Sequence, residues 1–174
     1  MTRWVAFLRG VNLGKRKVLS SDLTQCFSRL GFGGVKTLLA SGNVLFEADA
    51  ADDLVQHIET KLQETFGFAV PVVLRTQSEL KAMIAARPFA DRREDADTKL
   101  YVVLLGSDLP EGIVLESIPG DVTVAHVARR EIYLIAHKLP NGRYGEGMDR
   151  VGRALGKGIL ATTRNWNTVL KAAA

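Results

Sequence analysis

The first 87 residues alternate between two hydrophobic periods, and this alternation constrains the fold more than any other feature of the chain. Four runs rich in β-branched and aromatic residues indicate strands, at residues 4–9, 35–40, 44–48 and 70–74. Residues 21–30 and 52–66 instead place apolar side chains three or four positions apart, which is typical of amphipathic helices. Ser21 is a candidate N-cap for the first helix. The predicted order is β-α-β-β-α-β.

This order is that of the ferredoxin-like plait, whose strands usually lie in the order 4-1-3-2 across the sheet. Pro71 lies in the fourth run, and proline within a sheet is confined largely to edge strands. The plait order independently places the fourth strand at an edge. A capping-box pattern from Thr76 to Glu79 opens a third helix. We therefore predict an α+β protein with a first plait-like unit and its following helix in residues 1–87.

The second half has a weaker pattern, which we interpret as a degenerate plait-like unit over residues 98–174 with C-terminal helices. Residues 87–97 are charged and aperiodic, and mark the boundary. A buried strand is expected at 99–105, and a hairpin formed by 122–127 and 132–137. A short helix is expected within 109–118 and a last helix at 169–173. No final strand is evident.

The charge of the chain is uneven along its length. Residues 1–125 hold 14 Lys/Arg and 16 Asp/Glu, whereas residues 126–174 hold 9 and 3. A basic C-terminal part invites anionic partners such as nucleic acid, nucleotides or phosphorylated metabolites. The alternative is a solvated cationic face, and composition alone favours that alternative.

Composition also argues against several classes of protein. The single cysteine, Cys26, permits no intramolecular disulfide and fits a cytoplasmic location, with the thiol buried in the core. No apolar run reaches the roughly 18 residues of a membrane span. The three histidines, His57, His126 and His137, lack metal-ligand spacing, so we expect neither a metal site nor a cofactor.

The segment at residues 9–17, Arg-Gly-Val-Asn-Leu-Gly-Lys-Arg-Lys, joins the first strand to the first helix. Its glycines and cations suit a loop that holds an anion. It is not a Walker loop, because three residues rather than four separate Gly10 from Gly14 and Arg16 stands where Ser or Thr would hold magnesium.

The plait topology predicts a neighbour for this loop. The first two strands are parallel and end at the same side of the sheet, so the turn at residues 41–43 should lie beside the loop. Charge-assisted bonds and exposed amides could then bind a phosphate or carboxylate. The predicted ligand-binding residues at this edge are Arg9, Gly10, Asn12, Gly14, Ser41, Gly42 and Asn43. Taken one by one, these residues are better explained as turn-forming residues, and only their predicted convergence favours ligand binding.

A second polar group stands near the C-terminus, in Arg164-Asn165-Trp166-Asn167. Arginine beside tryptophan suits anion binding with base stacking. We favour Trp166 as an anchor that docks the last helix onto the core. Arg164 and Asn165 are retained as candidate ligand-binding residues.

Three motifs together resemble the bacterial domain-of-unknown-function family 1697. They are Leu8-Arg9-Gly10-Val11-Asn12-Leu13-Gly14, Ser41-Gly42-Asn43-Val44-Leu45-Phe46 and Thr163-Arg164-Asn165-Trp166-Asn167-Thr168. The resemblance runs nearly end to end and implies a cytoplasmic α+β protein of two plait-like halves, with no established activity. Lys15 stands where members of the family often have a second glycine. Tyr144-Gly145-Glu146-Gly147 replaces a Ser-Lys pair that many of them carry.

Three functions are compatible with these observations. The leading hypothesis is a binding protein for an anionic ligand, which is a nucleotide, nucleic acid or phosphorylated metabolite. The alternatives are an enzyme acting on a small phosphorylated or carboxylated substrate, which lacks an evident general base, and an assembly protein that associates through a sheet edge. The sequence specifies neither catalytic residues nor an oligomeric state.

Overall fold

The computed structural model of the protein describes residues 1–39 and 42–174. In those residues the chain has five helices and eight strands, which form two four-stranded antiparallel sheets. The predicted α+β class is confirmed. The chain divides into two compact units: a first unit of Met1–Ala82 with Lys171–Ala174, and a second unit of Met83–Leu170.

The first unit has the predicted element order. Its strands are arranged β2-β3-β1-β4, and all neighbouring pairs are antiparallel, which is compatible with a ferredoxin-like plait. The elements are β1 Thr2–Leu8, α1 Ser20–Arg29, β2 Gly33–Thr37, β3 Asn43–Ala48, α2 Leu54–Phe66 and β4 Val72–Thr76, followed by α3 Gln77–Ala85.

The core of the first unit forms where one face of the sheet meets α1 and α2. Leu23 and Phe27 of α1 and Ile58 and Leu62 of α2 are buried in this core, as their helical spacing predicts. Alternate residues of β1, namely Trp4, Ala6 and Leu8, face the same cluster.

The predicted capping box of the third helix is confirmed, and the predicted N-cap of the first helix is wrong. Thr76 and Glu79 form the capping box: the amide of Thr76 donates to Oε1 of Glu79 at 2.9 Å, and the amide of Glu79 donates to Oγ1 of Thr76 at 3.0 Å. Gly67 ends α2 in the left-handed region, with φ 80°. Ser21 does not cap α1, because the helix begins at Ser20 and Leu19 is its N-cap residue.

The edge position of the fourth strand is confirmed. β4 pairs only with β1 among the described residues and lies at the end of the sheet. Pro71 precedes the first residue of β4 and has no amide hydrogen to donate. Its carbonyl accepts from the amide of Arg9 at 2.9 Å, so it links this edge to the loop that follows β1.

The second unit contains a sheet of order β6-β7-β5-β8, and the predicted hairpin around Arg129-Arg130 is confirmed. Its core includes Val103, Leu105, Ile132 and Leu134 from the strands. The elements are β5 Thr98–Leu105, β6 Val122–Val127, β7 Glu131–His137, α4 Met148–Arg153, β8 Ala161–Asn165 and α5 Trp166–Ala173.

Three predictions for the second half are wrong. Residues 109–118 form no helix: Gly112 adopts the left-handed region (φ 81°), and Pro119 disfavours a helical conformation of the residue before it. A final strand does exist, because β8 pairs antiparallel with β5. The last helix begins at Trp166, three residues earlier than expected.

Candidate functional site

The loop at residues 9–17 folds into a hydrogen-bonded turn. The amide of Asn12 donates to the carbonyl of Arg16 at 2.6 Å, and the amide of Arg16 donates to the carbonyl of Leu13 at 2.9 Å. Gly10, Asn12 and Gly14 have positive φ angles of 72°, 60° and 56°. Glycine and asparagine tolerate this conformation better than other residues, which explains their presence here.

The side chain of Asn12 holds the loop against the start of the first helix. Its Oδ1 accepts a hydrogen bond from the amide of Val18 at 3.0 Å, and Val18 is buried in the core of the first unit. Asn12, which the sequence predicts to bind ligand, therefore has a structural role: it holds the end of the loop next to the start of α1.

The loop and the β2–β3 turn lie side by side, at the edge where the strand polarity places them. The carbonyl of Gly42 accepts from the amide of Leu8 at 2.9 Å, and Phe7 is in register with Asn43. Gly42 has φ 74°, and a Cβ atom there would lie 2.8 Å from Cγ2 of Val11. The close approach requires glycine. Ser41, the other predicted residue of this turn, lies outside the described residues.

Only 1% of Asn43 is exposed, so its buried side chain stabilises the turn from the inside. Its Nδ2 donates to the carbonyl of Leu38 at 3.1 Å, and the amide of Leu38 donates to the carbonyl of Asn43 at 2.9 Å. These two bonds hold the hairpin closed beneath the loop.

Four cations of the loop remain at the surface. Arg9, Lys15, Arg16 and Lys17 are exposed, and residues 9–17 contain no acidic residue. Among residues 1–39 and 42–174, none of these four side chains takes part in a salt bridge. The guanidinium of Arg16 lies 5.5 Å from the ring centroid of Phe68, which favours one orientation of its side chain. The loop therefore presents concentrated positive charge to solvent.

Arg164 and Asn165 belong to the second unit, at the end of β8. Nη1 of Arg164 donates to Oγ1 of Thr162 at 2.7 Å and to the carbonyl of Thr163 at 3.0 Å. Burial lowers the pKa of Arg164 to about 10, because the charged guanidinium loses solvation. The side chain is still protonated at neutral pH.

Glu94 is a hydrogen-bond partner of Asn165, although no motif or periodic pattern in the sequence points to it. Its carboxylate accepts from Nδ2 of Asn165 at 2.9 Å, from Nδ2 of Asn167 at 2.8 Å and from the amide of Leu100 at 2.8 Å. The predicted site residue Asn165 is thus engaged in holding the segment that contains Glu94. The sequence predicts a boundary in this segment, but Phe89 is buried, and an apolar residue within a charged run is the signal that part of the segment belongs to the core.

Trp166 is an anchor, as predicted. Its indole ring makes edge-to-face contacts with Phe89 and Tyr133, at centroid distances of 5.4 Å and 5.7 Å. Only 9% of Trp166 is exposed. These contacts attach the start of α5 to the core of the second unit.

Within the described part of the chain, no three His, Cys, Asp or Glu residues are grouped so as to hold a metal ion. His57 pairs with Asp53 at 3.4 Å on the surface of α2. Cys26 is buried, and burial raises the pKa of its thiol, which opposes nucleophilic use.

No helix in residues 1–39 and 42–174 combines the length and apolar character that crossing a membrane requires.

Comparison with known proteins gives a family but no activity. Among curated proteins no match was found. Among solved structures, the chain is similar to the conserved bacterial protein SP0830 from Streptococcus pneumoniae, with a TM-score of 0.72 and 24% identity, over 99% of this chain and 97% of that one. That similarity indicates a shared fold. The model of the family described as "Protein of unknown function (DUF1697)" matches residues 1–133, and the chain belongs to this family.

Proposed function

We propose that the loop of residues 9–17 binds the phosphate groups of a nucleic acid. The observation that carries this proposal is the group of four exposed cations, Arg9, Lys15, Arg16 and Lys17, on a loop without acidic residues. Lysine and arginine side chains that bind phosphates release condensed counterions, which is the main source of sequence-independent affinity for nucleic acids. The proposal includes a cytoplasmic location, where a free thiol such as Cys26 stays reduced.

Hydrogen bonds within the loop organise its backbone. Its two internal backbone hydrogen bonds and the bond from the amide of Val18 to Asn12 hold the chain in one path. Among the described residues, no acceptor bonds the amides of Gly14 and Lys15. Amides at a turn with positive φ angles can bind phosphate oxygens. An organised loop loses less conformational entropy on binding than a flexible one does.

Exposure of the four cations favours a polymer over a small molecule. Small ligands generally bind in concave sites, whereas the side chains of Arg9, Lys15, Arg16 and Lys17 are exposed along the loop. A chain of phosphates instead contacts cations spread over a surface, as single-stranded nucleic acid does.

The two alternative functions, an enzyme and an assembly protein, are less well supported by the residues at this edge of the sheet. An enzyme would need a general base, and residues 9–17 contain neither a carboxylate nor a histidine. Assembly through the outer strand β2 is opposed by a register shift between Gly33 and Lys36, and by the exposed charge of Lys36 itself. Bulges and lysines on outer strands are devices that prevent edge-to-edge pairing.

The test is a binding measurement with a charge-matched control. Fluorescence anisotropy follows a labelled single-stranded oligonucleotide of about 12 nucleotides at low salt. The Lys15→Ala/Lys17→Ala variant is expected to bind at least about tenfold more weakly than the parent protein, because two phosphate contacts are lost. The Arg29→Ala/Lys81→Ala variant removes two exposed cations from α1 and α3, and is expected to bind like the parent.

Two results would overturn the proposal. One is the absence of oligonucleotide binding at low salt, including the case in which the protein binds only vesicles of anionic phospholipid. The other is an equal loss of affinity in both double variants, which would assign binding to overall charge and not to the loop.

A further inference from the structure

We propose that a cavity in the second unit binds a small organic anion that carries an aromatic ring. The cavity has a volume of about 730 Å³, within the range of small-molecule sites in proteins. Most of its lining comes from side chains between Ile84 and Glu94, and the rest from Leu100 and α5. We call it the arginine cavity, because Arg87, Arg92 and Arg93 line it. This proposal does not depend on the nucleic-acid site at residues 9–17.

Two aromatic residues, Phe89 and Trp166, form part of the wall of the arginine cavity. Their rings meet edge to face, with centroids 5.4 Å apart and an interplanar angle of 70°. Tyr133 packs against both rings from the core and restricts their movement. A fixed aromatic wall provides apolar contact and edge or face contacts for a ring in the ligand.

The charge balance of the cavity leaves two arginines for an anion. Both carboxylates in the lining already have partners: Asp91 pairs with Arg87, and Glu94 accepts three hydrogen bonds. Arg92 and Arg93 are exposed, and no salt bridge in the described residues involves either. Outside the lining, backbone and side-chain hydrogen bonds and, to a smaller extent, the charge of Arg92 lower the pKa of the exposed Asp95. Guanidinium groups bind phosphates and carboxylates through paired hydrogen bonds.

The segment that carries these arginines is held in an unusual backbone conformation. Arg87 and Ala90 have positive φ angles of 51° and 50°, which residues other than glycine, asparagine and aspartate seldom adopt, and the adjacent Asp91 has a φ of 65°. The hydrogen bonds of Glu94 to Asn165 and Asn167 fix the segment against β8 and α5. Backbone strain of this kind is concentrated at ligand and active sites.

Together these features specify the chemistry of the ligand. A ring would lie against Phe89 and Trp166, with a phosphate or carboxylate group within reach of Arg92 and Arg93. Mononucleotides, aryl phosphates and aryl carboxylates share this combination. The contacts of Asn165 and Asn167 with Glu94 make these two asparagines positioning residues for the cavity.

The two tryptophans of the chain permit a direct test by fluorine NMR. Protein labelled with 5-fluorotryptophan gives one resonance for Trp4 and one for Trp166, and the Trp4→Phe variant assigns them. The probes are phenyl phosphate, benzoate, adenosine monophosphate and inorganic phosphate. We expect phenyl phosphate or adenosine monophosphate to shift the Trp166 resonance saturably and to leave that of Trp4 unchanged.

Variants test whether the two arginines hold the anion. Arg92→Ala/Arg93→Ala is expected to weaken binding of the ring-bearing anion at least about tenfold. Arg150→Ala/Arg153→Ala, which removes exposed cations from α4, is expected to retain the parent affinity. Arg92→Lys/Arg93→Lys keeps the charge but loses the paired geometry, and is expected to lie between them. The spectrum without ligand verifies that each variant is folded.

Three results would overturn the proposal. The first is the lack of a saturable Trp166 shift with any ring-bearing anion up to about 10 mM, a limit that still detects millimolar affinity. The second is equal affinity for inorganic phosphate and phenyl phosphate, which would remove the role of the aromatic wall. The third is equal weakening in the two alanine double variants.

Discussion

At the residue scale, Gly42 decides whether the β2–β3 turn can reach the loop of residues 9–17. Its carbonyl binds the amide of Leu8, and its Cα lies so close to the loop that a Cβ atom would be 2.8 Å from Val11 and 3.2 Å from Leu8. Gly14, in the same loop, also has a positive φ angle, of 56°, but nothing lies within 4 Å of a Cβ atom built there. Substitutions at the two glycines can therefore be compared to separate the effect of steric contact, present only at Gly42, from that of backbone strain, present at both.

Gly42→Ala is expected to lower the free energy of unfolding by about 2–4 kcal/mol, because it combines backbone strain with overpacking. Gly14→Ala is expected to lower it by only about 1–2 kcal/mol, through strain alone. Urea denaturation of both variants and the parent protein measures the difference. Equal losses in the two variants would contradict the close approach of the turn to Val11.

Cys26 gives a second prediction at this scale, through the pKa of its buried thiol. Burial raises this pKa in the folded protein, so the folded state keeps its thiol proton to a higher pH than the unfolded chain does. The resulting stabilisation is present below the ordinary thiol pKa and is lost as pH rises through the raised value. Stability should therefore fall more steeply above about pH 9 in the parent than in Cys26→Ala.

Urea titrations at several alkaline pH values test this difference, since the lysines and tyrosines that titrate in the same range are common to both proteins. Alkylation of Cys26 by iodoacetamide should also be slow in the native protein and fast in urea, because only the thiolate reacts and the side chain is buried. Identical pH profiles for the parent and Cys26→Ala would contradict the raised pKa.

At the element scale, Glu94 joins the segment before β5 to β8 and α5. It accepts hydrogen bonds from the side chains of Asn165 and Asn167 and from the amide of Leu100. Glu94→Ala is expected to lower the free energy of unfolding by about 2–4 kcal/mol, since hydrogen bonds to a charged acceptor are lost and their donors are left without it. Glu116→Ala, at an exposed glutamate with no such bonds in the described residues, is the control and should change stability by less than about 0.5 kcal/mol.

Thermal or urea unfolding measures both variants. If Asn165 and Asn167 act through Glu94, adding Asn167→Ala to Glu94→Ala should cost less than the same change in the parent protein. Additive losses would show that the two side chains contribute independently, against the contact described here.

The elements that periodicity predicted well are those whose side chains meet the core on one face. Leu54, Ile58 and Leu62 of α2 are buried as their spacing indicates. β8 has no such pattern: it contains Thr163, Arg164 and Asn165, and its pairing with β5 is set by tertiary contact. Residues 109–118 carry apolar side chains that pack on the core without helical order, so composition alone suggested the wrong element.

The candidate site was predictable in location, because strand polarity places the loop beside the turn. The contacts of the candidate asparagines in both units were not predictable. Asn12 and Asn43 make hydrogen bonds to the backbone within the loop and the turn, and Asn165 binds a carboxylate 71 positions away in the chain. A polar residue type indicates that a side chain needs a partner, whereas the partner itself depends on the folded geometry.

At the scale of the whole molecule, the local charge of a segment differs from the net charge of the part of the chain that contains it. Residues 1–125 are acidic overall by two charges, yet the loop at 9–17 carries four cations and no acid. Exposed charges act over about 8–10 Å at physiological ionic strength, so a compact group of cations dominates the potential near it. Nucleic-acid binding should therefore be governed by this loop and only weakly by the net charge of +4.

The salt dependence of oligonucleotide affinity tests this central claim most directly. Four phosphate contacts to a single strand predict a slope of about −3 for the logarithm of the association constant against the logarithm of salt concentration. The Lys15→Ala/Lys17→Ala variant, with two contacts removed, should reduce the magnitude of that slope by about 1.4, while Arg29→Ala/Lys81→Ala leaves it unchanged. A slope near zero in the parent protein, or one unaffected by loss of Lys15 and Lys17, would contradict the assignment of phosphate binding to residues 9–17.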